Sequence, residues 1–150
     1  MKTKLNRRGF VKGLCAGAAL VLIPLQLFAR NSVAFGATAK EQTMAALFAG
    51  KPVSESDQIT LKVPNIAENG AVVPVTVKTD LEGVKRISII VVENPNPLSA
   101  SFQLMPGVAA DISTRIKMGA SSDVIAAVET DTGVFTARKN VKVTIGGCGG

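Results

Sequence analysis

Cys148 is the residue best placed to do chemistry, and it lies in the run Gly146-Gly147-Cys148-Gly149-Gly150. Glycine has the least constrained backbone and offers no side chain to pack, so four glycines around one thiol give up structure for freedom of movement. A core cysteine would sit inside an apolar pattern instead. Counted from Ile145, three extended residues carry the sulfur about 10 Å past the last apolar alternation. An ordinary exposed thiol titrates near about 8.5 and is only slightly ionised at neutral pH. The nearest basic residue, Lys142, is six positions back. The sulfur is therefore presented by this chain but not activated by it. A second protein would have to supply the activation.

Other chemistries lack their residues. The 150-residue chain contains no histidine, which removes a Cys–His pair, a Ser–His–Asp triad and a histidine-ligated metal site. No Cys-x-x-Cys motif occurs, and no glycine-rich phosphate loop opens a helix. The acidic pairs Asp80 with Glu82 and Glu129 with Asp131 fall at strand ends and read as solvated turn residues.

The start of the chain reads as a removable leader. Lys2, Lys4, Arg7, Arg8 and Lys12 precede an apolar run over residues 14–28, too short for a comfortable membrane span and followed by small residues. Two cleavage points fit, after Ser32-Val33-Ala34 or after Ala37-Thr38-Ala39, and the second is preferred. Asn6-Arg7-Arg8-Gly9-Phe10-Val11-Lys12 is similar to the twin-arginine export motif, with Asn6 and Val11 departing from its usual residues. A general secretory signal that contains Arg-Arg is the alternative. Six of the seventeen Lys and Arg lie in residues 1–39 with no acidic residue among them, so residues 40–150 carry eleven of each sign. With no basic excess left, a nucleic-acid partner loses its support. Cys15 would leave with the leader, and Cys148 would then be an odd cysteine in an oxidising compartment. Such a residue serves an intermolecular bond or a reactive thiol.

Residues 40–58 read as a short helix and a connector. Met44, Leu47 and Phe48 take helical spacing, Gly50-Lys51-Pro52 stops them, and 54–57 join on to the next element. Over 59–145 the period becomes two: Ile59, Leu61, Val63; Val73, Val75, Val77; Ile112, Thr114, Ile116, Met118; Val141, Val143, Ile145. Residues 84–93 and 122–130 are apolar on both faces and read as central strands, or as strands covered by another subunit. Residues 98–104 supply a seventh strand. Turn residues separate them at Asn69-Gly70, Asn94-Pro95-Asn96-Pro97, Pro106-Gly107 and Thr132-Gly133. Pro74 marks its strand as an edge or a bulge. The expected fold is all-β, an immunoglobulin-like β-sandwich of about seven strands, with residues 146–150 as a flexible arm.

The Gly146-Gly147-Cys148-Gly149-Gly150 run after Val141-Lys142-Val143-Thr144-Ile145 resembles the end of the SoxY family of sulfur carriers. Residues 66–75, the Asn94-Pro95-Asn96-Pro97 stretch and the twin-arginine start resemble that family too. The resemblance implies a periplasmic, non-catalytic carrier of thiosulfate oxidation, with sulfur intermediates bound covalently to the residue matching Cys148. It implies a heterodimer with SoxZ and transient contacts with a SoxAX haem enzyme and a SoxB hydrolase. Haem and metal would belong to those partners; the chain has no cofactor of its own and no membrane contact once the leader is gone.

Rival readings are a β-sandwich dimerising through a terminal Cys148 disulfide, a ubiquitin-like thiocarboxylate carrier and a thiol peroxidase. A mobile glycine arm gives a structural disulfide poor geometry. The ubiquitin-like fold needs a helix across its sheet, and a peroxidase needs an activating pocket.

Overall fold

The computed structural model describes residues 31–144. Two short helices open them, α1 (Ser32–Gly36) and α2 (Lys40–Phe48). After them come nine strands: β1 (Val53–Glu55), β2 (Ile59–Lys62), β3 (Ile66–Ala67), β4 (Val73–Thr79), β5 (Arg86–Val91), β6 (Leu98–Gln103), β7 (Asp111–Ile116), β8 (Ser122–Glu129) and β9 (Val134–Val143). One sheet runs β1-β9-β8-β5-β6 with β3 also on β9; the other runs β2-β4-β7. The all-β sandwich expected from the alternating segments is the observed fold.

Its interior follows from the period of two. Val73, Val75 and Val77 of β4 meet Ile87, Ile89 and Val91 of β5 and Val124, Ala126 and Val128 of β8 across the sandwich. Every one of these is at most 1% exposed. Burying a Val or Ile side chain to that degree contributes about 1.5–3 kcal/mol. The other faces of β5 and β8 are buried as well. Ile90 and Ala127, with Ile125 half-buried beside them, pack with Leu47 and Phe48 of α2 and Ala34 of α1. The doubly apolar segments are therefore central strands, and the helices of the same chain cover their outer face.

Among the described residues the strand count is nine, against about seven expected, and the reasons are local. β1 and β3 are too short to show a period, and each pairs in parallel with one end of β9: Val53 with Val134, Ile66 with Lys142. Part of the presumed connector, Ser54 and Glu55, is thus strand. β9 begins at Val134, well before the alternation at 141–145 that marks it in the sequence. Phe135, Ala137, Val141 and Val143 pack on the inner cluster, but Lys139 interrupts their row and hides it. Its ammonium donates to the carbonyl of Val63, just past the end of β2, at 3.0 Å, so its stem can lie along the row while the charged head reaches a polar partner. The expected strand end at Ile145 lies outside the described residues.

Pro74 is on the middle strand of the smaller sheet, not on an edge. β2 reaches β4 only at Thr76–Thr79, whereas β7 pairs from Val73 onward. Pro74 therefore has β7 as its single ladder neighbour, and its missing N–H costs no bond on the β2 side.

The reading of Glu129 as a solvated turn residue is corrected. It is 9% exposed, with Lys51 Nζ at 2.6 Å and Arg86 Nε at 3.7 Å from its carboxylate. Arg86 also donates to the carbonyl of Leu47, at the end of α2, at 3.3 Å. The cluster ties α2 and its following turn to the β8 end, and β-sheet closure brings those distant cations together. Asp131, by contrast, is exposed and pairs with Lys85, whose ammonium it holds above the usual lysine range. That contribution is present below the ordinary lysine pKa and fades as pH rises through the raised value.

Glu129→Ala leaves two cations without their partly buried partner and should lower unfolding stability by about 1–3 kcal/mol. Arg138→Ala, which removes only exposed contacts of 3.8 and 3.9 Å, should change it by about 0.5 kcal/mol or less. Urea denaturation of the two variants measures both. Equal losses would mean that the Glu129 cluster is no more than surface charge.

Candidate functional site

The predicted site residues Gly146, Gly147, Cys148, Gly149 and Gly150 lie outside the described residues. What the structure does place is the ground from which that segment leaves, the last turns of β9. Here the strand is held on both sides. On the β8 side Ser122 pairs with Val141, and Ser121 Oγ accepts the amide of Val143 at 2.9 Å. On the β3 side the amide of Lys142 donates to Asn65 O, and that of Thr144 to Ala67 O, both at 3.0 Å. The backbone is thus tied through Thr144.

This anchoring depends on a close approach at Gly70. A Cβ built there would lie 2.4 Å from the carbonyl oxygen of Met118 and 2.9 Å from Val143 Cγ1. Gly70 O in turn accepts the amide of Met118 at 2.7 Å. Asn69 shapes the turn, its side chain accepting the amide of Ala71 at 2.9 Å. Sequence reasoning took Gly70 for an ordinary turn glycine, because a backbone carbonyl arriving from residue 118 leaves no mark in the local pattern. The same holds for Asn65, Ala67 and Ser121. Their contribution is through backbone groups and one hydroxyl, and nothing in their spacing distinguishes them.

Around this anchor the chemistry offered is slight. An open polar groove of about 430 Å³ lies at the same end of the sheet, lined by residues that include Glu93, Ser121, Asp123 and Asn140. Among the described residues no group of His, Cys, Asp or Glu side chains could hold a metal ion, and no helix is long and apolar enough to cross a membrane. Cys148 is four positions beyond Thr144, a span of at most about 14 Å for a fully extended backbone.

Comparison with known proteins decides the family. The profile described as "Sulfur oxidation protein SoxY" matches residues 44–148, the stretch ending on the cysteine. The chain belongs to the SoxY family. Among solved structures, the sulfur carrier protein SoxY from Chlorobium limicola f thiosulfatophilum is 39% identical, with a TM-score of 0.64. The match covers 70% of this chain and 96% of that one. A superoxide reductase (neelaredoxin) from Ignicoccus hospitalis is 18% identical, with a TM-score of 0.53, over 61% of this chain and 83% of that one. That second likeness is one of fold alone. No curated protein is similar enough to count as a match.

Gly70→Ala should overpack the anchor. We expect a stability loss of about 1–3 kcal/mol, together with faster hydrogen exchange at the amides of Val143 and Thr144 than at those of β5. Exchange of those two amides at the wild-type rate would show that the end of β9 is not held through Gly70.

Proposed function

We propose that this SoxY-family protein is a covalent sulfur carrier of periplasmic thiosulfate oxidation, holding intermediates on Cys148 and presenting them to partner enzymes. The observation that carries the reading is the arrangement at the end of β9. The strand is tied through Thr144, and the chain then continues into a short glycine-flanked run bearing a thiol, within a family match that extends to residue 148. The described body supplies no metal cluster, and the whole chain has no histidine. The protein acts as substrate and handle, not as catalyst.

Each step conserves atoms and charge. Joining the Cys148 thiol to the outer sulfur of thiosulfate forms one S–S bond and releases one proton and two electrons. A SoxAX-type haem enzyme takes those electrons. Water then attacks the terminal sulfonate in a SoxB-type hydrolase; sulfate leaves and a persulfide stays on Cys148. Transfer of that outer sulfur to an acceptor thiolate gives back the Cys148 thiol directly. Alternatively a partner redox enzyme takes six electrons while three waters supply oxygen, leaving a sulfonate on Cys148 that a second hydrolysis releases as sulfate. The glycines suit this sequence because a narrow channel admits a backbone without side chains on either side of the reacting residue. A heterodimer with SoxZ and export by the twin-arginine route complete the reading. The paired Arg7 and Arg8 support export of an already folded chain.

The test is the intact mass of the protein isolated from cells oxidising thiosulfate, before and after reductant, with the modified residue mapped. Reductant-labile additions of sulfur or thiosulfonate on Cys148 are expected. A bare thiol, or only a symmetric disulfide, would sink the carrier reading in favour of a structural dimer. Cys148→Ser should abolish thiosulfate-dependent turnover by the partner enzymes and leave the melting temperature unchanged. Replacing Gly147 or Gly149 by Phe should slow turnover at least about tenfold, the equivalent of 1.4 kcal/mol in the barrier, with folding intact. Unchanged kinetics in those two variants would remove the channel argument.

A further inference from the structure

We infer that the leader is cut between Ala39 and Lys40, and that α1 is a folded element of the precursor, discarded with the leader. The inference rests on the proposed export of the chain. Two small-residue sequences fit a cleavage site, and they differ in what the fold does to them. The first ends at Ala34, inside α1. Ala34 is 0% exposed and packs in the cluster of Leu47, Phe48, Ile90 and Leu98. Asn31 fastens the helix at both ends of its own side chain: its carbonyl oxygen accepts the amide of Ala34 at 3.0 Å, and its amide nitrogen donates to Ala46 O at 3.0 Å. A protease binds its substrate as an extended strand, so cutting after Ala34 requires the whole of α1 to unpack first.

The second sequence lies outside any helix or strand, and both of its alanines have extended backbone angles. Ala37 has φ −62° and ψ 141°, and Ala39 has φ −133° and ψ 149°. Thr38 between them is exposed. Engaging this segment unpacks Ala37, which is 8% exposed, and breaks a few hydrogen bonds, but it leaves α1 folded. Asn96 Nδ2 donates to Ala37 O at 3.3 Å. The amide and hydroxyl of Thr43 reach Ala39 O at 3.0 and 2.9 Å. These are the first-turn bonds of α2, where helices fray most readily. An extended link of small residues between two packed helices is where proteolytic nicking concentrates. The extent of the family match agrees: it begins at residue 44, and 70% of this chain suffices to cover 96% of the Chlorobium carrier. α1 lies outside the matched stretch, whereas part of α2 lies within it. Cleavage at this bond hydrolyses one peptide, leaving a carboxylate on Ala39 and an amine on Lys40. It also bares the part of the Leu47, Phe48 and Leu98 cluster that α1 covers.

The deciding experiment is intact-mass and N-terminal analysis of the full chain expressed in its export-competent host, after separating periplasm from cytoplasm. A periplasmic chain beginning at Lys40 is expected, and Ala39→Phe should leave uncut chain while Ser32→Phe, at a restricted position of the rival sequence, leaves the cut in place. A periplasmic chain beginning at Phe35, or one that keeps residues 31–39, overturns the inference alone. Full-length chain confined to the cytoplasm overturns the export reading and this inference with it. Arg7→Lys with Arg8→Lys identifies the route independently, since it blocks export only if the paired arginines are read.

Discussion

Strand β9 is the member on which the architecture hangs. Over eight registered pairs it runs antiparallel to β8, from Glu129 with Val134 to Ser122 with Val141. On its far side it takes two short parallel neighbours, β1 at the start and β3 at the end. Backbone hydrogen bonds on both sides make a strand difficult to peel, because each group released must be left unpaired or returned to water. The consequence at one end is a closed hairpin, with Thr130 N bonded to Gly133 O at 2.8 Å and Val134 N to Pro52 O at 2.9 Å. At the other end the last tie among the described residues is at Thr144, and the glycine-rich run begins two residues later in the sequence. Anchored strand and glycine run thus lie within a few residues of each other in the sequence.

Two apolar clusters share the central strands and hold them between different partners. The inner one joins the two sheets; the outer one seats the helices. Because β5 and β8 serve both, a substitution on either face of these strands disturbs packing on one side or the other. Polar groups that end up inside are satisfied in pairs, as with Ser88 and Ser101, whose hydroxyls lie 3.0 Å apart. Among the described residues no buried side-chain nitrogen or oxygen lacks a hydrogen-bond partner. The described body is thus a scaffold whose buried polar side chains are all satisfied.

Much of the sandwich could be read from residue order because its inner faces obey a period of two. Val73, Val75 and Val77 announce a strand, and Ile87, Ile89 and Val91 announce another. The helix over 40–48 followed equally from Met44, Leu47 and Phe48. Where reading failed, the interactions were long-range or carried by the backbone. A two-residue strand such as β3 has no period to show. Lys139 breaks an apolar row by reaching the end of the sheet. Glu129 looks like a turn residue until Lys51 and Arg86 arrive from elsewhere in the chain.

By itself the sequence determined the sandwich class, the absence of histidine chemistry and the placing of one thiol among four glycines, since these depend on residue type and local order alone. Only the tertiary structure decided that β9 is tied on both sides through Thr144, that Gly70 is pressed against Met118 and Val143, and that α1 and α2 cover the outer face of β5 and β8. The physical reason is one of range. Periodicity and backbone freedom are properties of neighbouring residues, whereas the anchor joins residues 65–70, 118–121 and 142–144, which meet only when the sheets close.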